Sequence, residues 1–209
     1  MLLRENTLEE FTGILASDVP APGGGSVAAL NGALAAALIH MVGGLTSGKE
    51  KYKEFHAEMR KIMSDAKNLQ DKLLMGVDED TEAYNKVSAV FSMPKETPED
   101  KAARSSAMQA ALKAAALTPL ENLRAAHGCL VLADRAYGKI NTSCMSDYGS
   151  GVLCAMAAVR ASWLNVKINL SGIKDEEFSK QTGGEAKKLL AEAERLAEDL
   201  YRKLEQDIK

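Results

Sequence analysis

Apolar residues along most of this chain recur at steps of three and four, the spacing that gathers them on one face of an α-helix. The pattern is clearest from Lys49 to Phe91, where Tyr52, Phe55, Met59, Ile62, Ala66, Leu69, Leu73, Val77, Tyr84 and Val87 keep register. It predicts one long helix, bent near Gly76. Upstream, Thr7 and Glu10 have capping-box spacing and open a short helix through Leu8, Phe11, Ile14 and Leu15. SDVPAPGGG (Ser17–Gly25) ends it, because proline lacks an N–H and consecutive glycines hold a helix poorly. Ser26 then starts an alanine-rich helix, which Gly43, Gly44 and Gly48 loosen at its far end. Thr97 as cap, Pro98 at the first position and acids in the first turn mark another helix start. That helix is kinked or split at Thr118-Pro119 and resumes to about Tyr137. Gly138–Gly151 (GKINTSCMSDYGSG) reads as irregular and Val152–Leu170 as a helix of small residues. From Asp175 the chain is charged and helical, with a weak point at Thr182-Gly183-Gly184. No segment alternates with the period of a strand. The expected fold is therefore all-α: residues 1–209 form a single-domain bundle of long, Ala/Gly-rich helices.

Composition sharpens this. With 209 residues and 46% hydrophobic content, the chain can bury one large core. Alanine and glycine each bury little area, so the helices must approach closely over long contacts. Amphipathic helices with more apolar surface than one bundle covers predict a homodimer. Net charge is −3, from 26 basic and 29 acidic residues, and aromatic content is 5%; neither a polybasic arm nor a base-stacking platform is present, so nucleic acid is not an expected partner. Ser26–Thr46 is nearly long enough to span a bilayer, but it is built largely of alanine and glycine and carries Asn31 and His40. It is expected to be a buried central helix, not a membrane segment. The opening MLLRENTLEEF turns acidic at once, unlike a signal peptide, and Cys129, Cys144 and Cys154 form no CxxC pair. Both features predict a cytoplasmic protein with reduced thiols. No histidine cluster or metal-ligand spacing is present.

Four places could carry chemistry. Gly23, Gly24, Gly25 and Ser26 lead into a helix whose free N–H groups suit an anion; equally, the segment is a connector with Ser26 as its cap. Asp80 lies on the stripe of Val77, Tyr84 and Val87, where a carboxylate is either buried with partners or turned locally to solvent beside Asp78 and Glu79. Ser146 and Asp147 precede the small-residue helix, as caps or as ligand-facing groups. Arg160 sits among apolar neighbours and calls for a carboxylate partner. Asn165 and Asn169, at i and i+4, can present amides to one ligand or one helix. Lys49, Lys51 and Lys53 form a local basic patch, while His40 and His127 read as core histidines.

SDVPAPGGGSVAAL, LTSGKEKY, VDEDTEAY, SDYGSG and LNVKINL, in this order, resemble the formiminotransferase-cyclodeaminase C-terminal family over nearly the whole chain. The resemblance implies an all-helical cytoplasmic homodimer with no permanently bound cofactor or metal, acting on a tetrahydrofolate derivative. It implies foremost a formiminotetrahydrofolate cyclodeaminase of histidine degradation, yielding 5,10-methenyltetrahydrofolate and ammonia, with a separate formiminotransferase as a partner. The rival reaction is hydrolysis of the methenyl compound to 10-formyltetrahydrofolate by a cyclohydrolase; a non-catalytic folate-binding dimer is the third reading. On this resemblance Asp147 moves protons or recognises the pterin and Asp80 supports it. The glycine turn with Ser26, Ser146 and Asn165 binds substrate, and Lys49 or Lys51 meets the glutamate tail. The glycine turn and the two aspartates are expected to surround one cavity. Tyr148, Ser150 and Asn31 depart from the family pattern, and Tyr148 beside Asp147 is expected to alter substrate choice or activity.

Overall fold

The computed structural model describes residues 2–208, and among them every regular element is helical. Thr7 and Glu10 form the reciprocal capping box that opens α1 (Leu8–Leu15). The proline-glycine segment follows, and then α2 (Gly24–Ser47). A 3-10 turn, Glu50–Phe55, leads into α3 (His56–Phe91). Thr97 and Asp100 cap α4 (Pro98–Ala136). Asn141 opens a short 3-10 turn before α5 (Met145–Leu170), and Asp175 caps α6 (Glu176–Asp207).

α2 is the central strut. It runs antiparallel to α3, with Ser26 opposite Asp80 and Gly43 opposite Met63, and antiparallel to α5, with Gly24 opposite Asn165 and Gly151 opposite Leu38. The small residues permit this closeness: a Cβ on Gly151 would press on Leu38 and on the Ala35 carbonyl. Ala28, Ala29, Ala35, Ala36 and Ile39 bury one side of α2, but Leu34 and Leu45 on the other side are each 48% exposed. The expected fully buried helix is thus buried on one face only. Both α2 and the Thr142–Leu170 stretch are long and apolar enough to cross a membrane, yet about half of each is buried against other helices, which reads as core.

Several boundaries depart from the sequence reading. The long Lys49–Phe91 helix is interrupted at Tyr52, whose φ and ψ of −108° and 18° are not helical, and then passes Gly76 without a break. Gly43 packs against Met63 within an unbroken α2, and Gly183 and Gly184 lie inside α6. Met145–Gly151 is helical rather than irregular, because α5 begins seven residues early. Pro119 neither splits α4 nor ends it. A proline cannot donate to the carbonyl four residues back, here Ala115; the Asn169 side chain donates to that carbonyl instead, at 2.8 Å. A partner from α5 thus completes α4.

Candidate active site

Gly23 caps α2, Gly24 is its first residue, and Ser26 already lies within its first turn. Ser26 is therefore not the cap. Its backbone N–H donates to Asp80 Oδ2 at 2.9 Å, and its hydroxyl, fully buried, lies 2.9 Å from the Val77 carbonyl and 3.2 Å from Asp80 Oδ2. One hydroxyl proton serves only one of these acceptors. The Asp80 carboxyl keeps the Ser26 N–H as a donor wherever that proton lies, but it is largely removed from water. Burial accordingly pushes the Asp80 carboxyl up from its ordinary range, against the opposing pull of the two Ser26 donors.

The glycines differ in what they do. A Cβ on Gly25 would land on the Asp80 carboxylate, so this position must lack a side chain. A Cβ on Gly24 would meet Asn165 at 3.6 Å, an ordinary contact, and Gly23 has only the Pro20 carbonyl at 3.9 Å. Asp80, the glycine turn, Tyr84, Val87, Asn165 and Asn169 line a cavity of about 350 Å3, within the range of small-molecule sites. Asn165 and Asn169 commit their amide nitrogens to the carbonyls of Ala161 and Ala115, at 2.9 and 2.8 Å, which leaves their oxygens as acceptors. The cavity therefore joins a half-buried carboxyl, two amide oxygens, the free N–H groups of a helix start and an apolar wall.

The remaining expected residues lie elsewhere. Asp147 is in the first turn of α5, eighteen residues before Asn165, hence about 27 Å away along the helix. Ser146 lines a separate cavity of about 500 Å3 beside Thr142, Met145 and Asp207. Lys49 and Lys51 follow the far end of α2, roughly 36 Å from the glycine turn; Lys51 stands over the Tyr52 ring at 5.3 Å. Within one chain the structure gathers the glycine turn, Ser26, Asp80 and Asn165, and leaves Asp147, Ser146, Lys49 and Lys51 at the opposite pole. Tyr148 points into the core, fully buried, with its hydroxyl donating to the Ala133 carbonyl at 2.6 Å; it does not reach the cavity beside Asp147. Asp78 is not turned to solvent either: it accepts from the Leu3 N–H at 2.6 Å and pairs with Arg4 at 2.8 Å, tying down the start of the chain. Arg160 finds its carboxylate in Glu194, at 3.1 Å on the surface. The sequence let Asn165 and Asn169 present amides to one ligand or one helix; Asn169 donates to another helix, and the signal for its partner was the proline that left a carbonyl without a donor.

The profile of the formiminotransferase-cyclodeaminase family matches residues 7–188. The chain belongs to that family. It is 40% identical over 195 residues to a methenyltetrahydrofolate cyclohydrolase of Methylorubrum extorquens, covering 93% of this chain and 94% of that one. It is 35% identical to the formimidoyltransferase-cyclodeaminase of Gallus gallus, covering 83% of this chain but only 32% of that longer protein. The crystal structure of a formiminotetrahydrofolate cyclodeaminase from Thermotoga maritima superposes with a TM-score of 0.90 at 28% identity, covering 99% of this chain and all of the other. This member of the formiminotransferase-cyclodeaminase family thus carries the family fold from end to end.

Proposed function

We propose that the chain is an enzyme of folate one-carbon chemistry that acts on the bridge between N5 and N10 of tetrahydrofolate, with Asp80 carrying the protons. The observation that supports this most is the Asp80 carboxyl, raised by burial and facing a cavity beside a glycine turn. A methenyl bridge shares positive charge between two nitrogens, and an ionised Asp80 would stabilise that cation. Water attacks the bridge carbon and loses a proton to Asp80, giving a neutral tetrahedral centre. Asp80 returns that proton to N5 as the carbon–N5 bond breaks, and the new hydroxyl releases its own proton to give 10-formyltetrahydrofolate. A base and acid placed in this way supplies about 10²–10⁴-fold.

The cyclohydrolase reaction is placed first because the 40% identical relative has that name and nearly the same length. The second reading, cyclodeamination, is favoured by the match to the Thermotoga maritima structure. There N10 attacks the carbon of the protonated formimino group, Asp80 takes the N10 proton and passes it to the departing ammonia, and a separate formiminotransferase supplies the substrate. Neither route, as written, draws on a bound cofactor or metal. Both belong in the cytoplasm, where reduced folates are used. The experiment is spectroscopic: loss of methenyltetrahydrofolate absorbance on adding the protein supports the first reading, and its appearance from the formimino compound supports the second. Binding without turnover would leave a folate-binding protein.

We further propose the homodimer. Leu34, Leu45, Leu153, Leu164 and Ile168 form an exposed apolar stripe across α2 and α5, and Ile168 is 70% exposed. A two-fold axis lying in the plane of this face, across the helices, would set the far pole of one copy against the glycine pole of the other. Asp147 of a second copy would then approach Asp80, giving it the proton-transfer or pterin-recognition role that it cannot fill within its own chain. Sedimentation showing only monomer at micromolar concentration would sink this arrangement.

A further inference from the structure

Beneath the cavity, the facing sides of α4 and α5 carry a second pair of polar residues. Asn169 meets Ala115 and Tyr148 meets Ala133, so the two helices run antiparallel. A step of seven residues is two turns and returns to the same face. Taken along α4 from Ala115 and back along α5 from Asn169, it sets Asn122 opposite Ser162, about 10 Å deeper in the bundle. Asn122 is 3% exposed and Ser162 is fully buried. Neither Asn122 Nδ2 nor Ser162 Oγ has a hydrogen-bond partner among the described residues. Polar atoms taken from water without a new partner are destabilising, so two on facing helices call for a shared one. Asn122 Nδ2 only donates, whereas the Ser162 hydroxyl donates and accepts, and the two do not bond directly. A small group that both accepts and donates fits between them.

The level of this pair ties it to Asp80. The Asn122 amide packs on the bare backbone of Gly76, where a Cβ would come within 2.2 Å of Asn122 Oδ1. Gly76 lies four residues before Asp80, about 6 Å along α3. Ser162 lies three residues before Asn165, which lines the cavity. On α2, the pairing of Gly24 with Asn165 puts Val27 opposite Ser162, and thus Ser26 beside this level. We propose that Asn122 and Ser162 hold a buried water molecule that donates in turn to the Ser26 hydroxyl, which makes both of them positioning residues for Asp80. The inference rests on the role given to Asp80 above. The water oxygen accepts from both side chains, and one of its hydrogens fills a lone pair of Ser26 Oγ. The Ser26 proton is then free to follow the charge above it: it turns to Asp80 when the carboxyl is ionised and to the Val77 carbonyl when it is not.

The test joins a pH profile to a crystal structure. Ser162→Ala removes a single oxygen and is expected to keep the fold. Without the water beneath it, Ser26 holds the ionised Asp80 less well, so the rising limb of kcat/KM should move up by about half to one pH unit. Below the limb, kcat/KM should fall about three- to tenfold, while the plateau above it stays near that of the wild type. Asn122→Ala should move the limb in the same direction, and the double variant no further than either single one, because each breaks the same path. Among the described residues of the cavity wall, Tyr84 is the other titratable group, and α2, α4 and α5 bring no charged side chain to it. Movement of the limb therefore reports on Asp80. A crystal structure of the wild type that resolves water should place one within hydrogen-bond distance of Asn122 Nδ2 and Ser162 Oγ. A direct bond between the two side chains, or no water there, overturns the proposal, as does a limb that stays in place in both single variants of an active enzyme. A protein that converts no tetrahydrofolate derivative overturns the reading of Asp80 itself, and the positioning role falls with it.

Discussion

Thr46 and Tyr52 at one pole of the α2–α5 pair and Asn165 and Asn169 at the other use their polar groups in opposite ways. At the far pole, the Thr46 hydroxyl donates to Val42 at 2.7 Å and accepts from the Asn141 N–H at 2.9 Å, while the Tyr52 hydroxyl accepts from the Thr142 N–H at 3.2 Å. Each of these side chains is consumed in holding a loop. At the glycine pole, Ser26, Asn165 and Asn169 each spend a donor on backbone or on Asp80, and the two asparagines, with their amide oxygens left as acceptors, line a cavity. Satisfied polar groups fix a fold; a convergent set with capacity left over marks where a ligand belongs. On this ground the chemistry is assigned to the glycine pole, although residues at both poles match the family pattern.

The sharpest test of the assignment is Asp80→Asn. It is expected to lower turnover by about 10²–10⁴-fold with the fold retained, since the amide cannot carry the proton. Asp147→Asn separates a one-chain site from a shared one. If two copies pair pole to pole, Asp147→Asn is impaired as well, and mixing the two inactive variants restores part of the activity. If Asp147 only begins α5, turnover stays near that of the wild type. The pH dependence follows from the raised carboxyl. Asp80 must be ionised to accept a proton, so kcat/KM should rise with pH through an ionisation above the ordinary carboxylate range, and this limb should vanish in Asp80→Asn. Stability moves the other way. The folded state holds the Asp80 proton after the unfolded chain has released it, so the wild type loses stability relative to Asp80→Asn as pH rises from about 3.8 through the raised value. Denaturant titrations of both proteins across that window check the sign.

A smaller effect tests the glycine turn itself. Gly25→Ala must displace the Asp80 carboxylate and should lower kcat/KM by about 10–100-fold, on the scale of a misplaced reacting group. Gly24→Ala meets only an ordinary contact with Asn165 and should change it by less than about threefold. Equal effects of the two substitutions would mean that the turn acts through backbone flexibility and not through room for Asp80.

The helices were legible in the sequence because capping residues and apolar spacing are local signals: Thr7, Thr97-Pro98 and Asp175 mark three starts where the structure has them. The early start of α5 and the passage of α4 through Pro119 were not legible, because each is decided by another helix. Gly151 fits because it faces Leu38, and Pro119 is tolerated because Asn169 supplies the missing donor. The site divides in the same way. Asp80 stood out as a carboxylate on an apolar stripe. That Asp147 lies a helix length away could not be read until α5 was seen to run straight from one to the other pole. Asn169 tests this cross-helix effect directly: Asn169→Ala leaves the Ala115 carbonyl without its donor and should cost about 1–3 kcal/mol, seen as a lower denaturation midpoint.

The smallest expected effect concerns Tyr148, the residue whose bulk beside Asp147 suggested altered chemistry. Its ring lies wholly within the core and its hydroxyl reaches only the Ala133 carbonyl, so it touches neither cavity. Burial pushes its phenol further up from an already high range, so it stays neutral and has no proton to trade near neutral pH. Tyr148→Phe keeps the ring and removes one neutral hydrogen bond, leaving the Ala133 carbonyl with the helical N–H of Tyr137, which donates to it at 3.0 Å. The loss should therefore stay near 1 kcal/mol, and kcat/KM should match the wild type for both folate substrates. A changed ratio between hydrolysis and cyclodeamination in this variant would instead tie the far pole to substrate choice, and the division between a chemical pole and a structural one would no longer hold.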